Sequence, residues 1–364
     1  MNELKLPFNA RLTFTLLSLI LIVYIARVGS EIIIPMVFAF LVAVMLLPIA
    51  SWLESIRFPR GLAAFVAVLL FVIALLGLIA LVGSQMGAFV SDLPQLEKQL
   101  MGTVDNLQHW VNTRFHIDAS TQMDYLEKAA MGTLGSATAF ISQTFLSISS
   151  LLIFVVFVLL YSFFILYYRQ LLITFLVRFF QEKHRLKLLD IIAQTRYIIK
   201  SYVSGLMIEM VVVAILNCSL LLILGVKYAL LLGIMAALFN IIPYLGIFTA
   251  IIISMLVTLT TAASVVVMLQ VGIALFLVHL LDSNILLPRI VGSKVKINAL
   301  VTIVGVVCGS MLWGIPGMFL AIPVIAIMKI TFERIDALKP WALLLGDMPA
   351  KKKPAPVVKP PEQA

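Results

Sequence analysis

Residues Tyr228–Thr261 read YALLLGIMAALFNIIPYLGIFTAIIISMLVTLTT, without an Asp, Glu, Lys or Arg. One membrane span needs about 20 apolar residues, so this run is too long for one span and too short for two comfortable ones. It is broken by Asn240-Ile-Ile-Pro243-Tyr244-Leu-Gly246. Proline has no amide hydrogen to donate, and glycine admits backbone angles closed to other residues. The stretch therefore predicts two half-length helices, near 229–241 and 246–260, that meet at Pro243–Gly246.

The same interruption recurs at 298–330, where two apolar runs flank Trp313-Gly314-Ile-Pro316-Gly317. Broken backbone inside a bilayer is tolerated only where protein or a water-filled cavity satisfies it. A pair of interrupted segments is a sequence-level pointer to a transporter binding site. The pattern predicts two re-entrant helical hairpins; two ordinary pairs of short full spans are the alternative.

Composition sets the frame around these segments. Of 364 residues, 62% are hydrophobic and only 12% are Asp, Glu, Lys or Arg, about half the charged share of a soluble domain. Mean hydropathy is +1.13. Runs without Asp, Glu, Lys or Arg cover 61–91, 129–168, 228–281 and 297–328. A charge at the bilayer centre costs roughly 2.5–3.5 kcal/mol on insertion scales, and such runs are what that penalty selects. A cytosolic globular protein and a disordered chain are both excluded. The expected class is an all-α polytopic membrane protein of about 8 transmembrane segments. Spans are expected near 12–28, 32–50, 62–82, 151–168, 206–224 and 264–281, with the two hairpins besides.

The net charge of +9 belongs to loops and tail, so it predicts no nucleic-acid partner. Lys5 and Arg11 precede the first span, and Arg57 and Arg60 follow the second. Residues 83–150 hold three basic and six acidic residues, 169–205 hold seven basic residues, and seven more lie from Lys329 onward. By the excess of Lys and Arg on the cytoplasmic side, both termini and 169–205 are expected inside, and 83–150 outside. The first hairpin would then enter from outside and the second from the cytoplasm, an inverted arrangement suited to alternating access. The bacterial inner membrane is the expected location.

Five regions follow: an N-terminal three-span bundle at 1–82, an extracytoplasmic helical segment at 83–150, a span with a basic amphipathic segment at 151–205, a hairpin-containing core at 206–347, and a disordered Pro/Lys-rich tail at 348–364. In the outer segment Leu93, Leu96, Leu100, Val104, Leu107 and Val111 recur at spacings of three and four, an amphipathic helix. Packing on its neighbours is the plain reading of that helix; a partner or a second copy is the other, and a homo-oligomer is expected. In the basic segment Phe175, Phe179, Phe180 and Leu186 suit the headgroup zone of the lipid bilayer. Cys218 and Cys308 both lie in apolar runs and have no metal or disulfide spacing.

Candidate chemistry clusters between the hairpins. His279 and Asp282 are i and i+3, on one helix face at the end of an apolar span. With Asn284 they could carry protons or coordinate a cation; capping the next turn is the alternative for Asp282. Glu209 is the only ionisable residue between 201 and 226 apart from tyrosine and cysteine side chains. An intramembrane carboxylate is a functional candidate by default, with pairing to Lys200 as the alternative. Asn217, Asn240 and Gln270 are further polar points that serve equally as contacts between helices.

At these residues the chain resembles the autoinducer-2 exporter family of bacterial membrane proteins. The matching pieces are Ile242-Pro243-Tyr244-Leu245-Gly246, then Asn284-Ile-Leu-Leu-Pro288-Arg289-Ile-Val-Gly292, then Gly305, Gly309, Gly314, Pro316, Gly317 and Pro323. The resemblance implies a secondary transporter. Some members export autoinducer-2, and others are described as sodium or lithium/proton antiporters. The interruptions and polar points together make Asn240, Pro243, Tyr244, Gly246, Asp282, Asn284, Pro288, Gly292, Trp313, Gly314, Pro316 and Gly317 the candidate substrate or ion contacts, with Glu209, His279 and Asp282 the candidates for proton coupling. This chain departs from the family in having Asn240 where an acid is frequent, and His279 and Asp282 where Gln and Glu are.

No Gly-x-Ser-x-Gly, His-Glu-x-x-His or phosphate-binding Gly-x4-Gly-Lys-Ser/Thr motif occurs, so an enzyme is not expected, and neither a cofactor nor a resident metal is called for. The function expected is secondary transport of a small solute, or exchange of cations for protons, by alternating access. A passive channel and a membrane scaffold are the competing readings.

Overall fold

The computed structural model describes residues 7–115, 150–180, 184–240, 245–262, 264–292 and 297–346. Among the described residues the chain is helical, and its only extended pairing is an isolated antiparallel bridge between Ile297 and Gly346. The helices are α1 Phe8–Val28, α2 Ser30–Ser55, α3 Arg60–Phe115, α4 Ser150–Tyr167, α5 Arg169–Phe179, α6 Arg185–Ile223, α7 Ala229–Phe239, α8 Leu245–Ala262, α9 Val265–Leu281, α10 Ala299–Arg334 and α11 Lys339–Leu345. Seven of them are long and apolar enough to cross a membrane: α1, α2, α3, α4, α6, α9 with its extension, and α10. The molecule is an all-α polytopic membrane protein.

Two expected boundaries dissolve. The third span and the amphipathic segment after it form one helix of 56 residues, α3. Gly83 and Gly87 stand singly, and Pro94 is accommodated inside the helix, so nothing there ends it. The basic segment from Arg185 likewise continues into the fifth span as the 39-residue α6. The remainder of the outer segment, 116–149, and the tail 348–364 lie outside the described residues.

Small residues bring the first helices together. Lipid tails are as apolar as leucine, so close backbone approach does more here than the hydrophobic effect. Ala43, Leu46 and Ala50 of α2 pack against Ala64, Ala67 and Val68 of α3 and Leu166 of α4. Ser162 of α4 is fully buried and donates to the Ala39 carbonyl at 3.2 Å. A second cluster joins Leu41 and Val44 of α2 to Ile199, Tyr202 and Val203 of α6 and Leu320 of α10. A third joins Leu221, Tyr228, Leu231, Val257, Val271 and Leu275, with Val82, Met86 and Phe89 of α3 against it. The long α3 thus bridges the N-terminal bundle and the hairpin core.

Both interruptions are chain reversals. At about 1.5 Å per residue, the 11-residue α7 spans about 17 Å, short of the roughly 30 Å hydrocarbon core. A Cβ on Gly246 would lie 1.6 Å from the Phe239 carbonyl oxygen, and Val257 near the end of α8 shares a cluster with Leu231 and Leu232 near the start of α7. The two arms are therefore antiparallel. In α10 the helix breaks at Trp313 (φ −136°, ψ 15°) and Gly314 (φ 61°, ψ −139°). A Cβ on Gly317 would lie 2.0 Å from the Gly309 oxygen, and one on Gly305 would lie 2.2 Å from Ile325 Cδ1. These pairs place arms 299–312 and 315–334 side by side in opposite directions.

The hairpins enter from opposite ends of α6. At one end Asp92 of α3 accepts from Lys227 Nζ at 2.7 Å and Tyr228 OH at 2.5 Å, where α6 hands over to α7. At the other end Arg334 Nε donates to Asp190 at 2.5 Å and Lys187 Nζ to Asp336 at 3.1 Å, tying the foot of α10 to the start of α6. Lys339 and Lys187 beside Asp336 hold its carboxyl down at about 2.

Candidate functional site

α6 presents Glu209, Val213, Asn217 and Leu221 at intervals of four, and all four are buried. A helix returns to the same face every three to four residues, so they form one stripe. α7 descends along this stripe: a Cβ on Gly233 would lie 2.5 Å from Cys218 Sγ, and two turns further on Asn240 reaches Glu209. The absence of a side chain at Gly233 is what allows α7 so close.

Asn240 is the C-cap of α7. Its amide nitrogen donates to Glu209 Oε1 at 3.3 Å and to Asp282 Oδ2 at 2.9 Å. One amide thus spends both hydrogens on two carboxyl groups from two other helices. Glu209 and Asp282 are each 4% exposed and lie in hydrogen-bonding reach of each other. One oxygen of each, Glu209 Oε2 and Asp282 Oδ1, is buried without a partner among the described residues, as is His279 Nδ1. His279 lies within electrostatic reach of Asp282.

The chain around Asp282 is locally unwound. α9 ends at Leu281 and passes into two π-turns, Asp282–Leu286 and Pro288–Gly292. Pro288 cannot supply the hydrogen bond that an α-helix would return to residue 284. Such π-turns are common at functional sites, because the widened turn redirects side chains and carbonyls.

Other expected site residues fall elsewhere. Asn284 is exposed, and its amide donates to the Leu280 carbonyl at 2.8 Å and to Ser283 Oγ at 3.2 Å, so it serves its own backbone and not the carboxyl pair. Glu209 meets Asn240 and Asp282 instead of pairing with Lys200. Trp313 Nε1 donates to the Ala26 carbonyl of α1 at 2.9 Å, and its ring packs on the Leu41–Tyr202–Leu320 cluster. Gly314 supplies the positive φ of the second reversal, and Gly317 its close backbone contact. Pro316, just past the break, borders a cavity of about 1000 Å³ together with Ser30, Glu31, Pro35, Phe154 and Phe157. Gly246 is buried against Phe239. Pro288 and Gly292 bound the second π-turn. Pro243 and Tyr244 lie outside the described residues.

Sequence reasoning passed over Tyr202 as a contact between helices. It is 6% exposed and packs with Leu41, Val44 and Leu320, the cluster against which the Trp313 ring also lies.

Two opposed helical hairpins, one of them placing a polar tip between buried carboxyl groups of two flanking helices, define a class of polytopic membrane proteins built to carry something across the bilayer. Residues 14–337 match the family described as AI-2E family transporter, and the chain belongs to that family. It is 28% identical over 341 residues to the AI-2 transport protein TqsA of Escherichia coli (strain K12), covering 91% of this chain and 94% of that one. It is 25% identical to YueF of Bacillus subtilis (strain 168), over 84% of this chain and 85% of that protein. It is 24% identical to YhhT of Escherichia coli (strain K12), over 91% and 93%. A role in membrane transport follows from this membership.

Proposed function

We propose that the protein is a secondary transporter that moves a small solute, or exchanges cations for protons, by alternating access, and that Glu209, Asn240 and Asp282 form its central site. One observation carries the reading: the tip of the first hairpin hydrogen-bonds two carboxyl groups presented by α6 and by the unwound end of α9. A cargo or proton taken up by either carboxyl changes what Asn240 is bonded to, which couples occupancy to the position of the hairpin. His279, with its free Nδ1, is the proton relay next to Asp282. The second hairpin, through Trp313 to Gly317, lines the opposite approach. The relative named an AI-2 transport protein makes a small polar organic solute one cargo to test, and alkali cations are the other. The assembly is a homo-oligomer in the inner membrane with both termini in the cytoplasm.

Purified protein in sealed vesicles with an internal pH dye tests this. Pulses of sodium, lithium or potassium are compared between wild type and Asp282→Asn. A cation-selective pH change that the variant loses supports exchange and assigns the coupling to Asp282. No response from correctly inserted protein removes the exchange reading and leaves solute export. A conductance without coupling replaces the transporter by a channel.

A further inference from the structure

We propose that the cavity at the tip of the second hairpin holds a phospholipid whose head carries a primary ammonium group, with an acyl chain seated between the N-terminal bundle and the hairpin. None of the residues lining this cavity belongs to the Glu209–Asn240–Asp282 cluster.

The cavity, of about 1000 Å³, is lined by the first turns of α2 and of α4 and by Pro316 of α10. Its lining changes character in the same order along both helices. Ser30 and Glu31 are followed one turn on by Ile34, and Ser150 is followed one turn on by Phe154. Polar groups therefore stand at one end and apolar ones at the other, the profile of an amphiphile entering from the membrane surface. Ile153 and Phe157 line the apolar end and are 55% and 40% exposed. They belong to a helix apolar enough to cross a membrane, so this opening faces lipid tails. Hydrocarbon fills it in preference to water, which needs two or more polar partners to stay. Phe154 meets Phe38 of α2 edge-on with ring centroids 5.4 Å apart, and Phe38 stacks on Phe319 of α10 at 5.3 Å. A chain lying against Phe154 and Pro316 thus touches the bundle and the hairpin together.

The polar end selects the head. Glu31 supplies a carboxylate, which disfavours an anionic head. Pro35 stands inside α2 and has no amide hydrogen to return to the carbonyl four residues back, so the Glu31 carbonyl lacks its helical donor. A carboxylate beside a free carbonyl calls for a positively charged donor. A primary ammonium has three N–H groups and a positive charge, whereas the quaternary nitrogen of choline has no hydrogen to donate. Arg27, in the last turn of α1, stands four residues before Glu31 across the Gly29 turn, and among the described residues no ion pair joins the two. It supplies the opposite charge for the lipid phosphate.

The test is native mass spectrometry of delipidated full-length protein, released from detergent after incubation with dioleoyl phosphatidylethanolamine, phosphatidylcholine or phosphatidylglycerol. Wild type should retain one phosphatidylethanolamine per chain in preference to the other two. Glu31→Gln should weaken that retention about tenfold, the size expected for a lost hydrogen bond to a charged group. Glu31→Lys should turn the preference to phosphatidylglycerol. Glu31 is exposed, so both variants should fold, and a reversed preference is a result that misfolding does not produce. O-phosphoethanolamine, the head without its chains, should not displace the lipid. Equal retention of the three lipids by wild type, a phosphatidylethanolamine preference unchanged in both variants, or displacement by O-phosphoethanolamine overturns the assignment. Retention of no lipid also overturns it, and is the outcome if residues 116–149 fill the cavity instead.

Discussion

Asn240 is a small residue with a large geometric consequence. Replaced by Leu, it leaves Glu209 and Asp282 facing each other without a bridging donor. The expected loss is about 1–3 kcal/mol, the cost of an unsatisfied buried polar group, read as a lower thermal midpoint in detergent. Gly314 answers to backbone sterics instead. Its φ of 61° with ψ of −139° lies in a region open essentially to glycine, where an L-residue costs of order 1–3 kcal/mol. A Cβ there meets nothing within 4 Å, so Gly314→Ala should cost that strain alone. Gly317→Ala drives a methyl into the Gly309 backbone and should cost more. Ranking the two variants by thermal midpoint checks whether the reversal is held by angle or by contact; a milder Gly317 variant would show that the hairpin arms part easily.

At the scale of elements, α3 meets the first hairpin at Asp92. Phe89 packs edge-on to Tyr228 with ring centroids 5.2 Å apart, and Lys227 Nζ lies 5.4 Å above the same ring. The hydrogen bond from Lys227 to the Asp92 carboxylate raises the lysine pKa. A raised lysine pKa contributes stability in full below its ordinary value of about 10.4, and loses it as pH climbs through the folded value. Lys227→Met should therefore be less stable than wild type at pH 7, and the gap in thermal midpoint should shrink only above about pH 10.4. A gap independent of pH would assign the contribution of Lys227 to packing of its methylenes. The contact is exposed, so salt should weaken it.

For the whole molecule, the opposed hairpins make a claim about sidedness. Lys227 at the root of the first hairpin and Lys339 beyond the foot of the second sit at opposite ends of α6. With Cys218 and Cys308 replaced by Ser, Lys227→Cys and Lys339→Cys should react with a membrane-impermeant maleimide from opposite sides of the membrane. The charge counts expect residue 227 to be labelled from outside and 339 from the cytoplasm. Labelling of both from one side would undo the antiparallel entry of the hairpins. Deleting 92–128 tests function at the same scale: it removes Asp92 from Tyr228, and a transporter should keep cargo binding while a scaffold loses its role.

The sequence by itself determined the class and the punctuation. Charge-free runs reveal membrane spans because the bilayer penalises every buried charge, and Pro–Gly interruptions reveal reversals because they act on the backbone where they stand. Glu209, Asn240, His279 and Asp282 were legible one by one as polar residues in apolar surroundings. What the sequence left open was their company. That Asn240 would stand between Glu209 and Asp282, that Asn284 would turn to its own helix, and that Trp313 would turn to α1 depend on how far α7 descends along α6. That descent is set by Gly233 against Cys218 and by packing across residues far apart in the chain. Element ends were also left open, since α3 and α6 each run on as a single helix through the boundaries that hydropathy suggested near 82 and 205. Local chemistry writes the spans and the breaks; the meeting of three helices at one amide is a long-range event, and only the fold supplies it.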